Sequence, residues 1–268
     1  MDEATTEMIV NSFEYQMYRM LRFFIMWTSM YIIIHLTINT SLKNLMELDM
    51  KNRIISIFHG LASFGLSFYY LISNGFNLES PLDYFNSGII CLSFAYFLYD
   101  LIACLIFSLW DIKLIIHHML CVSGMFALLW FTKGLNACVA GLVLAEASNL
   151  PMHIRCICRN FGMKHTKLCE YCETTYILIY VIFRGILAPV LCVLTFLSPS
   201  TPIFIAFVML GIVVQSFFFI ITMISMMKKK MSNAEERSKK NVPLYWFEVN
   251  PDIYDLEYVQ NTKKINIF

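Results

Sequence analysis

The sequence predicts an all-α fold: a polytopic bundle of about seven transmembrane helices around a central cavity open to the cytosol. Three observations lead there. Hydrophobic residues make up 58% of the 268-residue chain and charged residues 15%, where a soluble domain carries about 25% charged. Several apolar runs approach or exceed the ~20 residues that cross the hydrocarbon core as a helix. Inside those runs stand a few ionisable residues, each costing roughly 2.5–3.5 kcal/mol at a bilayer centre unless it faces protein or water. The net charge of +1 carries no nucleic-acid signature.

The chain begins MDEATTEMIVNSFEYQMYRM, with no basic n-region and no small-residue cleavage site, so no removable signal peptide is expected. Asp2 stands where N-myristoylation needs glycine. Apolar runs then predict spans at about 20–38, 54–73, 87–109, 112–131, 135–154, 173–197 and 202–227. The loops set the orientation. With the N-terminus outside, sixteen basic residues lie inward: Lys43, Lys51 and Arg53; Lys113; Arg155, Arg159, Lys164 and Lys167; and eight in the tail from Lys228 to Lys264. Three lie outward (Arg19, Arg22, Lys133), and Arg184 falls within a span. That asymmetry predicts a cytosolic C-terminus, and it leaves the Asn39-Thr40-Ser41 sequon on the unmodified side.

Residues 1–50 thus form an N-terminal segment with the first span, 51–230 the main membrane domain, and 231–268 a cytosolic tail. The tail opens with KKKMSNAEERSKK, a stop-transfer anchor suited to anionic lipid. The aromatic and acidic segment after it lacks helical periodicity and is expected to be mobile or docked on the cytosolic face. Five of the nine cysteines (Cys91, Cys104, Cys121, Cys138, Cys192) lie in apolar runs, where a small buried thiol is the usual role. Cys156, Cys158, Cys169 and Cys172 do not make paired CxxC knuckles, and reduced or S-acylated thiols are expected there. Gly-rich phosphate loops and a GxSxG elbow are absent. His117 and Cys121 have the i, i+4 spacing of two metal ligands on one helix, but no HExxH motif accompanies them, and no metal or cofactor is expected.

The unusual residues cluster by depth. With ~1.5 Å rise per residue, His118, His59, Glu146, Asp100 and Arg184 fall roughly 7–16 Å below the cytosolic boundary, and the outer half holds almost none. Arg184 can neutralise one of Asp100 and Glu146, leaving the other to bond a histidine. His117 and His118 lie about 100° apart on a helix, so at most one points squarely into a cavity. Glu146, Asn149 and His153 share a face, and Pro151 bends that helix. Gly185 and Pro189 loosen the span that carries Arg184. His35, near the inner end of the first span, is expected to be a packing or interface histidine.

Several of these residues resemble the TLC domain family (TRAM, LAG1 and CLN8 homology) over roughly Lys51 to Lys230. The resemblance runs through R-x-x-S-x-x-H at Arg53, Ser56 and His59 and Y-x-x-x-D ending at Asp100. It continues with the pair His117 and His118, E-x-S-N at Glu146, Ser148 and Asn149, and then Arg155 and Arg184. It is nearest to the small TLC-domain-containing proteins. It implies helices around a cytosol-facing cavity, work on lipids or fatty acyl groups, and an endoplasmic reticulum or other endomembrane location. In ceramide synthases the histidine pair matches the acyl-transfer site. Carried over, His117 or His118 would be general base or acyl acceptor, with Asp100 orienting it, and His59, Glu146, Asn149 and Arg184 would line the lipid cavity. The chain departs from ceramide synthases one span later: their H-D-x-x-D is here Glu146-Ala147-Ser148-Asn149, and no homeobox-like insertion is present. The expected function is therefore lipid handling: binding, transport or sensing of a phospholipid, sphingolipid or acyl chain. The alternatives are acyl-CoA-dependent acyl transfer through His117 and His118, and a trafficking or scaffold role.

Overall fold

Tyr84–Ile106 is the helix that the others surround. In the computed structural model, which describes residues 12–42, 44–79, 81–109, 112–257 and 259, 78% of its apolar stretch is buried. The other six long helical segments reach at most 44%. Its sequence explains the difference: Ser87, Cys91, Ser93, Ala95, Ala103 and Cys104 are small enough to let neighbours approach on every side. Its start is fixed by a capping box, in which Asp83 accepts from the Asn86 amide and Asn86 Oδ1 accepts from the Asp83 amide.

In chain order the helices are α1 (Phe13–Thr37), α2 (Asn44–Asn74), α3 (Tyr84–Ile106), α4 (Ile112–Phe131), α5 (Leu135–Glu146) and α6 (Asn149–Asn160). They continue with α7 (Lys167–Tyr180), a π-helical turn (Val181–Leu187), α8 (Ala188–Leu197) and α9 (Ile203–Lys239). Taking α5 with α6, and α7 with the π turn and α8, seven segments are long and apolar enough to cross a membrane. The all-helical, seven-span expectation holds among the described residues. Helices α1, α2 and α4 pack on α3, α5 packs on α2, and α9 closes the bundle against α4 and α8.

Several boundaries move outward from the apolar runs, each for a local reason. α1 starts seven residues early because its polar residues are bonded inside the protein. Arg19 donates to Ser87 Oγ (2.9 Å) and to the Tyr84 carbonyl (3.0 Å), and Cys91 Sγ donates to Gln16 Oε1 (3.2 Å). α9 runs 37 residues, roughly 55 Å at 1.5 Å per residue, well beyond a ~30 Å hydrocarbon core. The segment from Lys228 therefore continues the helix rather than starting a loose tail. Lys230 donates to the Glu170 carbonyl (2.7 Å) and Thr174 Oγ1 (2.6 Å), and Arg237 pairs with Glu170 (2.7 Å). Beyond it the chain folds back: the Lys167 and Leu168 amides donate to the Tyr245 and Trp246 carbonyls, and Ile253, Leu256 and Val259 bury against Val242, Leu244 and Val249. The docked alternative is the one observed for 242–257. The first eleven residues with Asp2, and Lys43, Asp111, Lys263 and Lys264, lie outside the described residues.

Two prolines shape the site region. Pro151 lacks the amide hydrogen that would bond the Ala147 carbonyl; α5 ends at Glu146 and α6 restarts at Asn149, leaving Pro151 in a first turn where it is tolerated. Pro189 follows the π turn, in which the Ala188 amide reaches back to the Phe183 carbonyl, five residues away. At the other end of the bundle Gly134 (φ 73°) makes the tight turn between α4 and α5, and Thr201 presses against the side where a Cβ would stand.

Candidate functional site

The polar residues of α2, α3 and α4 meet beside Asp100. Asp100 Oδ2 lies 2.7 Å from His118 Nε2, and Asp100 Oδ1 accepts from Asn52 Nδ2 at 2.6 Å. His118 Nδ1 is 2.8 Å from the Leu114 carbonyl. A carbonyl only accepts, so Nδ1 carries a proton, and a second proton lies between Nε2 and the carboxylate. Both ring nitrogens of His118 are thus engaged. Tyr99 donates to Asn52 Oδ1 (2.9 Å) and Tyr96 to Ser56 Oγ (2.8 Å), so the pair sits in a bonded setting. Asp100 and His118 meet because they lie at one depth. α3 stops at Ile106, six residues past Asp100, and α4 starts at Ile112, six residues before His118, roughly 9 Å each. The apolar run predicted the span to reach residue 109, whereas the helix stops at Ile106 and the chain turns at 107–109, with Ser108 at φ 57°.

His59 and Glu146 make a second, drier contact between α2 and α5. His59 Nδ1 is 3.8 Å from Glu146 Oε2, and that oxygen accepts from Asn149 Nδ2 at 2.7 Å. The His59 ring stacks on Tyr96 at 3.7 Å and 7°. Gly60 permits this approach, since a Cβ there would stand 3.2 Å from Glu146 Oε2. His59 Nε2, Ser148 Oγ and His153 Nδ1 are buried with no hydrogen-bond partner among the described residues.

Arg184 makes no direct ion pair with Asp100 or Glu146 among the described residues, although its charge acts on Glu146 from a distance. Its Nη2 donates to the Ala145 carbonyl (2.8 Å), its guanidinium lies 5.2 Å from the centre of the Tyr180 ring, and no carboxylate among the described residues pairs with it. Its Nε is buried and unpartnered, and the residue is 8% exposed. Arg184 and His117 instead border a separate cleft between α4, α5, the π turn, α8 and α9, about 800 Å³ including its open mouth. From His117 and Ser216 at one end to Leu128 and Ile205 at the other, it spans eleven residues of α4, roughly 16 Å. Its wall is otherwise apolar: Met125, Leu142, Leu191, Val208, Met209 and Ile212 are typical.

The residues expected to line one cavity therefore fall on two sides of Phe97. This side chain lines the cleft while its ring lies 5.5 Å from His59, 6.0 Å from His117 and 5.7 Å from His118. His117 and Arg184 lie on the cleft side. Asp100, His118, His59, Glu146 and Asn149 are not part of the cleft wall. As the spacing required, the two adjacent histidines point in different directions. His117 Nε2 contacts Cys121 Sγ at 3.7 Å, one turn on. His35 is exposed and stacks on Tyr31 (6.0 Å).

Sequence reasoning missed Phe97 and the polar stripe of α2. Asn52, Ser56, His59, Ser63 and Ser67 are all buried, at spacings of four, three, four and four. That is the spacing of one helix face, and on an otherwise apolar helix it was a readable sign of a polar interhelical seam. Phe97 left no such sign, being one aromatic among many. Among the described residues, no three His, Cys, Asp or Glu side chains gather as a metal would require.

A comparison with curated proteins gives no match. Residues 49–249, three quarters of the chain, match the model of the TLC domain that groups TRAM, LAG1 and CLN8. The match begins close to Lys51, where the sequence motifs begin, and runs past Lys230 to take in the helical extension of α9 and the start of the segment that docks on α7. With its seven candidate spans and these buried histidines and carboxylates, the chain belongs to the TLC domain family of multi-pass membrane proteins.

Proposed function

We propose that the protein handles a single-chain amphiphile or one acyl chain of a membrane lipid, holding the chain in the α4–α9 cleft and its polar head at His117 and Arg184. TLC domain proteins are broadly linked to lipid metabolism, and the cleft supplies the chemistry of that link. One observation carries the reading: a long apolar slot has its polar side chains gathered at one end, and there a buried guanidinium has an N–H with no acceptor among the described residues. A buried guanidinium with an open N–H is costly, so Arg184 is set to receive a carboxylate, phosphate or carbonyl oxygen. Binding, transport or sensing of such a lipid all use this contact. The positive-inside asymmetry and the family resemblance support an endoplasmic reticulum or related endomembrane location with the C-terminus in the cytosol.

A diazirine-tagged fatty acid, photo-activated on the detergent-purified protein, tests the reading. Adducts are expected on cleft-lining residues of α4 and α9. Gly141→Leu is expected to lower them about tenfold, because a Cβ there meets only Met209 Sδ, at 3.8 Å, and a larger side chain fills the slot without strain. Adducts spread over the lipid-facing surface and unchanged by Gly141→Leu would reject it.

A second reading, acyl-CoA-dependent acyl transfer, is favoured by the position of His117. It faces the cleft, whereas His118 has both ring nitrogens engaged. On this reading His117 is the reacting histidine, and Asp100 and His118 hold α4 in place.

A further inference from the structure

We propose that Cys121 is an acyl acceptor: its thiol, with His117 as base, takes the acyl group from an acyl thioester bound in the cleft and holds it as an enzyme thioester. This rests on the cleft being an acyl-chain site. It adds a covalent step and a residue that the histidine pair alone does not supply.

The geometry has three parts. Cys121 Sγ and His117 Nε2 are in contact at 3.7 Å, a nucleophile and a base at sulfur hydrogen-bond distance and one helical turn apart. Both side chains line the cleft, and the wall beyond Cys121 is apolar through Met125 and Leu128 of α4 and Ile205 of α9. The thiol therefore stands where a carbonyl lies if the alkyl chain fills the slot. Arg184 borders the same end, close enough to act electrostatically on both Cys121 and His117, and its buried Nε–H lacks an acceptor among the described residues. A donor left open beside a nucleophile is what a developing oxyanion needs. Gln215, whose Oε1 meets no hydrogen-bond partner at full bonding geometry among the described residues, lies beside His117 and can position its ring.

The step balances without an oxidant or metal. The Cys121 thiol gives its proton to His117 Nε2 as sulfur attacks the carbonyl carbon. The tetrahedral oxyanion meets Arg184. Collapse breaks the bond from carbonyl carbon to the donor sulfur, and the His117 proton passes to the departing thiolate, which leaves as a free thiol. One thioester replaces another, so the step is close to thermoneutral and reversible by free thiol donor.

The test uses the full-length protein in detergent with ω-alkynyl-palmitoyl-CoA, click detection, and peptide mapping of residues 114–133. The expected result is an adduct on Cys121 that neutral hydroxylamine removes and excess free CoA reverses. It should be lost in Cys121→Ala and reduced at least tenfold in His117→Gln. Photo-crosslinking of the diazirine fatty acid is run on each variant. If Cys121→Ala still binds the fatty acid but loses the adduct, the proposal stands. If the wild-type protein binds the fatty acid and no adduct forms on Cys121, or the 114–133 adduct survives in Cys121→Ala, the covalent step is wrong while the cleft reading remains. If neither adduct nor crosslink appears in the cleft, both fall.

Discussion

His118 faces a hydrogen-bond acceptor on each ring nitrogen, and that fact separates it from its neighbour. A neutral imidazole has a single N–H, so it cannot serve both the Leu114 carbonyl and an ionised Asp100; the pair needs a second proton, on the ring or on the carboxyl. Removing one partner strands the other. His118→Ala is expected to destabilise the protein by about 3–5 kcal/mol, the range for breaking a buried pair. The neutral pair Asp100→Asn with His118→Gln keeps a donor for each acceptor and is expected to cost less than His118→Ala alone. Unfolding in detergent micelles, followed by circular dichroism or thermal shift, checks the order; equal losses would mean that the pair does not carry the stability. Membership of this polar set was legible in the sequence, because a carboxylate or histidine inside an apolar run is too costly to be incidental. Its partition was not. Which of His117 and His118 faces the cleft depends on the rotation of α4, and that rotation is set by Phe97, Asn52 and Asp100 on other helices.

At the level of elements, apolar runs show where helices lie in the membrane and not where they stop. α9 carries on for twelve residues past Met227 because Lys230 and Arg237 are bonded to α7, a long-range pairing with no local signature. The returning segment docks on Lys167 and Leu168, two and three residues past His165 in the connection between α6 and α7. Partial burial, together with the charges of Lys164, Arg237 and Arg159, pushes the His165 pKa down to about 4. An unfolded histidine titrates near 6.5, so the open form binds the extra proton between about 4 and 6.5. The docked arrangement is therefore fully favoured above about pH 6.5 and loses stability as pH falls toward 4. Hydrogen exchange at the Lys167 and Leu168 amides, which donate to Tyr245 and Trp246, reads this opening directly. Their protection is expected to fall from pH 7 to pH 5, and His165→Gln is expected to flatten the change. A pH profile left unaltered by that substitution would assign the effect to the carboxylates nearby. The effect of Pro189 is likewise only half readable: a proline announces a disturbed helix, but not that the chain answers with a π turn, which sets the direction in which Arg184 projects into the cleft.

Across the whole molecule, the connections sort into two ends, and their contacts do so independently of charge. Asn136 donates to the Asn77 carbonyl, Ser200 Oγ reaches the Leu78 carbonyl at 3.4 Å, and Thr201 presses on Gly134, so residues 75–79, 132–134 and 198–202 form one end. At the other, Lys51 bonds the His35 carbonyl, Asn160 bonds Asp49, and the 245–246 segment bonds the start of α7. The first end holds Lys133 as its single basic side chain in those connections; the second holds the basic connections and the extension of α9. Seven crossings with that charge contrast fix a direction if the positive-inside bias holds for this chain, and the direction is testable without touching the site. Glu79→Ser completes a glycosylation sequon at Asn77, an exposed residue in the basic-poor end. Expressed in microsomal membranes, this variant is expected to gain an endoglycosidase-sensitive mass shift, while the native sequon at Asn39, in the opposite end, stays unmodified. Glycan on Asn39 and none on the variant would invert the molecule. The His117 end of the cleft would then lie on the lumenal side, out of reach of a cytosolic acyl thioester, and the donor for Cys121 would have to be sought among the lipids of the bilayer itself.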